Sequence, residues 1–248
     1  MGCTPFMYAV TKPNVEIFKT LIKYGAHLII KDKLDQSPLF YAAYMNTNPA
    51  VVRTMIRIGY PINAKNKEGR TPLMYSSLNM NDEIAGILID NGADVNAEDS
   101  TGKKAFCYVL EQTKDVKIIK KMAALSNFAN DEHVRWLFLA ATAGYNSLPI
   151  LKYVVKLGAD IRLKNSDNRS VLHFAASSSV DIKVLQYLVK SGLDVNAFDD
   201  IKATPFLYAA RGNQSPEALM ELLRLGANPH IKHNDGRSAL HIACEQNP

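Results

Sequence analysis

The heptapeptide Thr71-Pro72-Leu73-Met74-Tyr75-Ser76-Ser77 recurs in varied form along nearly the whole chain. Further copies begin at Thr4, Ser37 and Thr204, with weaker ones at Ser170 and Ser238 and a damaged one at Lys104. Counted from residue 4, the steps are 33, 34, 33, 66, 34 and 34 residues, so one copy is concealed in the middle. A fixed period in this range signals stacked units, each too small to bury its own apolar face. That constraint replaces the one or two globular domains that 248 residues would otherwise suggest.

A second signal runs in phase with the first. Glycines fall at Gly25, Gly59, Gly92, Gly158, Gly192 and Gly226, each after an apolar stretch spaced for one helix face, such as Val51, Val52, Met55 and Ile56. Glycine directly after a helix takes the left-handed conformation that closes the last turn. Each glycine therefore ends a second helix in its unit. The first helix opens at the Thr-Pro or Ser-Pro step, where the hydroxyl caps free N–H groups and proline sits where no donor is needed. Second helices open with a similar device at Asn48-Pro49 and Ser215-Pro216. Small pairs such as Ala42-Ala43 and Ala209-Ala210 let the two helices approach closely. Beyond each glycine, segments of the Ala-Asp-Val-Asn-Ala type (93–97, and 194–197 in part) read as polar, turn-rich loops projecting from the stack.

These two phase-locked motifs resemble the ankyrin repeat over essentially all of residues 1–248. The resemblance implies an all-α solenoid of helix-turn-helix units with projecting hairpin loops. The spacing divides the chain into units at 1–34, 35–68, 69–101, 102–130, 131–167, 168–201, 202–235 and a partial 236–248. The fourth is degenerate and the fifth has a degenerate start. Lys104 to Tyr108 lacks the hydroxyl and the proline, the closing glycine is missing near Leu125, and the turn at Gly144 to Pro149 looks extended. Two readings of this region stand: a tolerated degenerate repeat, or a hinge dividing the array. Neither end supplies a polar capping unit, which suggests a segment of a longer protein or ends covered by neighbouring chains.

Composition narrows the function classes. A net charge of +5 without a block of like charge gives no basic stripe for nucleic acid. No apolar run reaches the length of a membrane span. Cys3, Cys107 and Cys244 are far apart and odd in number, which fits a reducing compartment better than a disulfide framework. No phosphate loop or nucleophile elbow appears. His230 and His233 lie close together without a Cys or carboxylate set at zinc spacing. Asp94 and Asp194 recur with the repeat, as structural residues do. The reading is therefore a non-enzyme with no cofactor and no metal, a cytoplasmic monomer that binds a protein partner. If the source is a bacterial effector, the chain would be delivered into a host cell. Alternatives are an interaction module of a larger enzyme or effector, and an inhibitor or immunity-type protein that blocks an enzyme.

The resemblance implies that a partner sits on the concave side made by hairpin tips and first helices. Arg70, Lys103, Arg169 and Arg237 share one tip register and could form a basic line toward an acidic partner, while Lys33 and Lys67 occupy another. One motif position is almost always aromatic: Tyr8, Tyr41, Tyr75, Tyr108, Phe174 and Tyr208, with Leu139 and Ile242 as exceptions. Such rings can be partner anchors or can stack on adjacent units and stiffen the array. His173 and His241 stand at the motif's histidine position, where the family joins neighbouring units by hydrogen bonds.

Overall fold

The computed structural model describes residues 4–26, 30–79, 82–113, 115–145, 148–178, 181–212 and 216–246. Among them are fifteen helices and no strand, only isolated bridges at Glu98–Lys104 and Lys164–Ser170. The chain forms two compact units, Met1–Ser126 and Asn127–Pro248. The division falls inside the irregular connection that the sequence marks after Leu125.

In the first unit the helices come in pairs: α1 (Pro5–Ala9) with α2 (Val15–Lys23), α3 (Pro38–Met45) with α4 (Pro49–Ile58), α5 (Pro72–Ser76) with α6 (Asp82–Asp90), and α7 (Ala105–Gln112) followed by α8 (Val116–Leu125). First helices pack on first helices, α1 on α3 on α5 on α7, and second helices form a parallel layer, α4 on α6 on α8. The second unit repeats the plan. Its first helices are α9 (Glu132–Tyr145), α11 (Val171–Ser177), α13 (Pro205–Gly212) and α15 (Ala239–Gln246), and its second helices α10 (Leu148–Lys156), α12 (Ile182–Lys190) and α14 (Pro216–Arg224).

The repeated residues account for this stacking. Phe18, Phe40, Phe106 and Phe138 are fully buried, and Ala42, Ala43, Ala175, Ala176 and Ala209 are completely enclosed where first helices meet. A buried side chain of phenylalanine size is worth about 1.5–3 kcal/mol relative to exposure, so the periodic apolar positions dominate the energetics. Thr4, Thr71 and Thr204 cap their helices through Oγ1, accepting from Met7, Met74 and Leu207 N–H. Ser37 departs from the expectation: its Oγ is buried and accepts no such bond, leaving Pro38 alone to set the helix start. Asn48 Oδ1 caps α4 through Ala50 N–H, whereas Ser215 lies outside the described residues.

The closing glycines take positive φ as the sequence requires, Gly59 at 98° and Gly158 at 106° for instance. At α8, which lacks one, Ser126 forms the cap and Asn127 adopts the left-handed conformation instead (φ 61°). Asparagine tolerates that region better than other non-glycine residues. The anticipated extended turn at 144–149 is largely helical. The first helix α9 continues through Gly144 to Tyr145 and α10 begins at Leu148, with Pro149 in its first turn, where its missing N–H has no cost. Residues 146–147 lie outside those described.

The asparagines of the segments after the closing glycines stitch successive units together. Asn63 donates to Gly92 O and accepts from Asp94 N–H; Asn196 does the same with Gly226 O and Asn228 N–H. His173 ties the start of its unit to the end: its Nδ1 accepts from Ser170 N–H at 3.1 Å, and Nε2 lies 3.2 Å from Ala197 O. Met7 and Met74 hold the same place, with sulfur accepting from Thr4 and Thr71 N–H.

Candidate partner-binding site

Five of the hairpin tips are five-residue loops with a common wiring. Asp32, Asn66, Asp99, Asn165 and Asp199 each begin one, and the backbone N–H of each donates to the carbonyl four residues on. The side-chain Oδ1 of each then accepts from the N–H groups two and four residues ahead, as Asp99 does from Thr101 (2.8 Å) and Lys103 (3.0 Å). The fourth residue must have positive φ, and it is Asp35, Gly69, Gly102, Asn168 or Lys202. Successive tips are hydrogen-bonded in a ladder. In the first unit Lys67 N–H donates to Leu34 O and Ser100 N–H to Glu68 O; in the second, Asp200 N–H donates to Asp167 O and Asn234 N–H to Ile201 O.

The aromatic position is tied into this wiring. Tyr41, Tyr108 and Tyr208 donate their hydroxyls to Oδ2 of Asp32, Asp99 and Asp199, always nine residues upstream, at 2.7, 2.6 and 2.8 Å. Tyr75 faces Asn66, so the roles reverse, and its oxygen accepts from Asn66 Nδ2 and from Gln36 Nε2 of the preceding tip. Where the ring is Phe174 the tip residue is Asn165, whose amide turns to Asp167. The carboxylate of Asp99 is almost wholly buried. Burial disfavours its charge, but the hydrogen bonds from Thr101, Tyr108 and the loop N–H groups outweigh that and hold it well below the usual carboxylate range. Burial, and then the bond to the aspartate, push the Tyr108 and Tyr208 hydroxyls up to about 12. The rings are half-buried and their polar ends are internally satisfied, so what they offer outward is ring surface.

The basic tip residues divide into two groups. Arg70 approaches Glu68 (3.2 Å) and Asp99 (4.0 Å) and lies over the Tyr108 ring; Arg169 repeats this with Asp167, Asp199 and Tyr208. Lys103 pairs with Glu111 above Tyr108, and Arg237 with Asp235 and Glu245. The basic line anticipated from these four is thus locally neutralised, because each cation has a carboxylate beside it. Lys33 and Lys67 have no ion-pair partner among the described residues. His233 contacts Asp235, and the described residues contain no cluster of three or more metal-ligating side chains.

An apolar opening lies in the first unit, between the first tip and helices α1 and α3. It encloses about 590 Å³, and its walls include Met7, Tyr8, Leu34, Tyr41 and Met45, with Lys12 and Lys33 at the edge. Tyr8, Leu34 and Met45 are 64%, 47% and 54% exposed, unusual for large apolar side chains in neighbouring positions. Of the residues singled out by repeat register, Tyr8, Tyr41 and Lys33 belong to this groove; Tyr75 and Tyr108 lie further along the same unit. Met45 follows Tyr41 by four residues and so shares its helix face, a signal present in the sequence. A smaller cavity of about 180 Å³ in the second unit is lined by Tyr208 and Arg237, among others.

A family model described as ankyrin repeats matches residues 6–99, 106–199 and 137–232, together most of the chain. The human ASB11 ankyrin repeat domain is similar at a TM-score of 0.57 and 17% identity, over 97% of this chain and 92% of that one. A chain from the complex of the Bdellovibrio bacteriovorus predatory endopeptidase Bd0816 with immunity protein Bd3460 gives a TM-score of 0.61 at 22% identity, covering 77% of this chain and 99% of that one. The candidate palmitoyltransferase ZDHHC13 of Danio rerio is 28% identical over 109 residues, 44% of this chain and only 16% of that protein's length. With the helix pairs, the tip ladder and this match in agreement, the chain belongs to the ankyrin-repeat family.

Proposed function

We propose that the chain is a non-catalytic scaffold, a cytoplasmic monomer that holds a protein partner against its concave face of first helices and hairpin tips. Ankyrin repeats in general mediate protein–protein interaction, and no described helix is long and apolar enough to cross a membrane. The observation that carries the reading is the exposed apolar groove bounded by Tyr8, Leu34 and Met45, with Lys12 and Lys33 at its edge. Large apolar side chains held open on a rigid ladder are the preorganised surface that gives affinity without an ordering cost. The rings of Tyr41, Tyr75, Tyr108, Phe174 and Tyr208 extend that surface within their own units, and Arg70, Lys103, Arg169 and Arg237 edge it as paired, polar residues.

Affinity purification with quantitative mass spectrometry tests this. The wild-type chain and a Met220→Asp variant, altered on exposed α14, should capture the same protein, and a Leu34→Asp, Met45→Asp double variant should lose it. A capture that survives the double variant, or is lost with Met220→Asp, would refute concave-face binding.

A further inference from the structure

The groove between α1, α3 and the first tip has a chemistry specific enough to name its ligand class. We propose that it takes an extended, acidic peptide segment carrying large apolar side chains at alternate positions, an inference that rests on the scaffold reading and narrows it.

Charge is the first argument. Two ammonium groups, Lys12 and Lys33, stand at the edge. The one carboxylate in the wall, Asp32, is already committed: Oδ1 accepts from Leu34 and Gln36 N–H, both at 2.8 Å, and Oδ2 from the Tyr41 hydroxyl. Asp35 of the same tip pairs with Lys31. Neither Lys12 nor Lys33 has an ion-pair partner among the described residues. With two ammonium groups against one carboxylate, the field facing a ligand is net positive, which selects acidic partners and speeds their encounter.

Size is the second. Only the side chains of a bound segment enter an open groove, and about 590 Å³ accommodates a few large ones. In an extended strand, side chains on one face recur every ~6.6 Å. Two apolar side chains of such a segment fit the groove, with Tyr8, Leu34 and Met45 closing over them. Met7 and Met45 give the walls an adaptable lining that accepts Leu, Ile, Met or Phe alike.

The test is selection of random peptides displayed on phage against the full 248-residue chain, followed by fluorescence-polarisation binding of the best peptide. Selected sequences should carry two large apolar residues two positions apart, with Asp or Glu within two residues of them. Affinity should fall at least tenfold in Leu34→Asp and several-fold in Lys33→Glu, and Met220→Asp should leave it unchanged. Replacing the peptide's acidic residue with Lys should restore binding to Lys33→Glu. Both altered residues are at an exposed tip, and an unchanged melting temperature verifies folding. Peptides without acidic residues, or ones that bind Leu34→Asp undiminished, overturn the inference. If those peptides are instead lost in variants of Tyr108 or Tyr208, the scaffold reading stands while this groove's assignment fails. Failure to select any peptide also overturns the inference, and lysate capture then decides the scaffold reading separately.

Discussion

Tyr108 donates its hydroxyl to Asp99 Oδ2 across 2.6 Å, joining the first helix of a repeat to the hairpin tip immediately before it. Arg70 of the preceding tip lies over the same ring, 5.8 Å from its centre, so the pair also touches the neighbouring repeat. A hydrogen bond to a charged group contributes about 1.5–3 kcal/mol when buried, and less where one partner is half exposed. Tyr108→Phe should therefore cost about 1–2 kcal/mol in urea denaturation while keeping the fold. No measurable loss would mean that the bond does not hold the tip.

The same relationship shows what the sequence alone could and could not convey. The repeat, its caps and its glycine closures are local patterns, and they predicted the paired helices well. The nine-residue spacing from Asp32 to Tyr41, from Asp99 to Tyr108 and from Asp199 to Tyr208 is also visible in the sequence. Its meaning is not, because only the folded hairpin brings those atoms together. The rings at this position, read from the sequence either as partner anchors or as inter-unit stacking, have internally bonded hydroxyls at Tyr41, Tyr108 and Tyr208. The groove was less legible for another reason: Tyr8, Leu34 and Met45 come from three elements, and their exposure depends on packing that no local pattern encodes. Asn127, which replaces the missing glycine two residues beyond Leu125, could have been suspected from asparagine's tolerance of the left-handed region.

Gly69 and Gly102 offer a matched pair of substitutions. Both have positive φ, 72° and 81°. A Cβ on Gly69 would stand 2.8 Å from the backbone nitrogen of Ser100, in the next tip, whereas one on Gly102 meets nothing within 4 Å. Gly102→Ala should cost about 1 kcal/mol for the backbone conformation, and Gly69→Ala roughly 2–3 kcal/mol because the tip ladder must also shift. Equal losses in chemical denaturation would argue against close tip contact.

His173 makes stability depend on mildly acidic pH. Burial lowers its affinity for a proton, with Asp199 opposing that effect and Lys164 adding to it. Its Nδ1 already accepts from Ser170 N–H, so the imidazolium would set donor against donor. The folded pKa is depressed, so the contribution is fully present above the unfolded value near 6.5 and is lost as pH falls from there through the folded value. The urea midpoint should drop between about pH 7.5 and pH 5.5, and His173→Met, which copies Met74, should flatten that drop. An unchanged slope in the variant would show that another group is responsible.

At alkaline pH the tyrosines take over. Tyr108 and Tyr208 are pushed up to about 12, so the folded chain keeps protons that the unfolded chain releases near 10. Their contribution is fully present below about pH 10 and declines as pH rises toward 12. Tyrosinate absorbance should show these two titrating late, and Asp99→Asn should return Tyr108 toward 10. A Tyr108 titration that ignores Asp99→Asn would contradict the assigned bond.

The central claim is that a partner occupies the groove of the first unit while the outer helices stay free. Hydrogen–deuterium exchange of the full chain, with and without saturating captured partner or selected peptide, reads this directly. Added protection should concentrate at residues 7–12, 32–36 and 41–45, with none on α4 or α14. Protection of those outer helices, or no change at the first tip, would contradict the account.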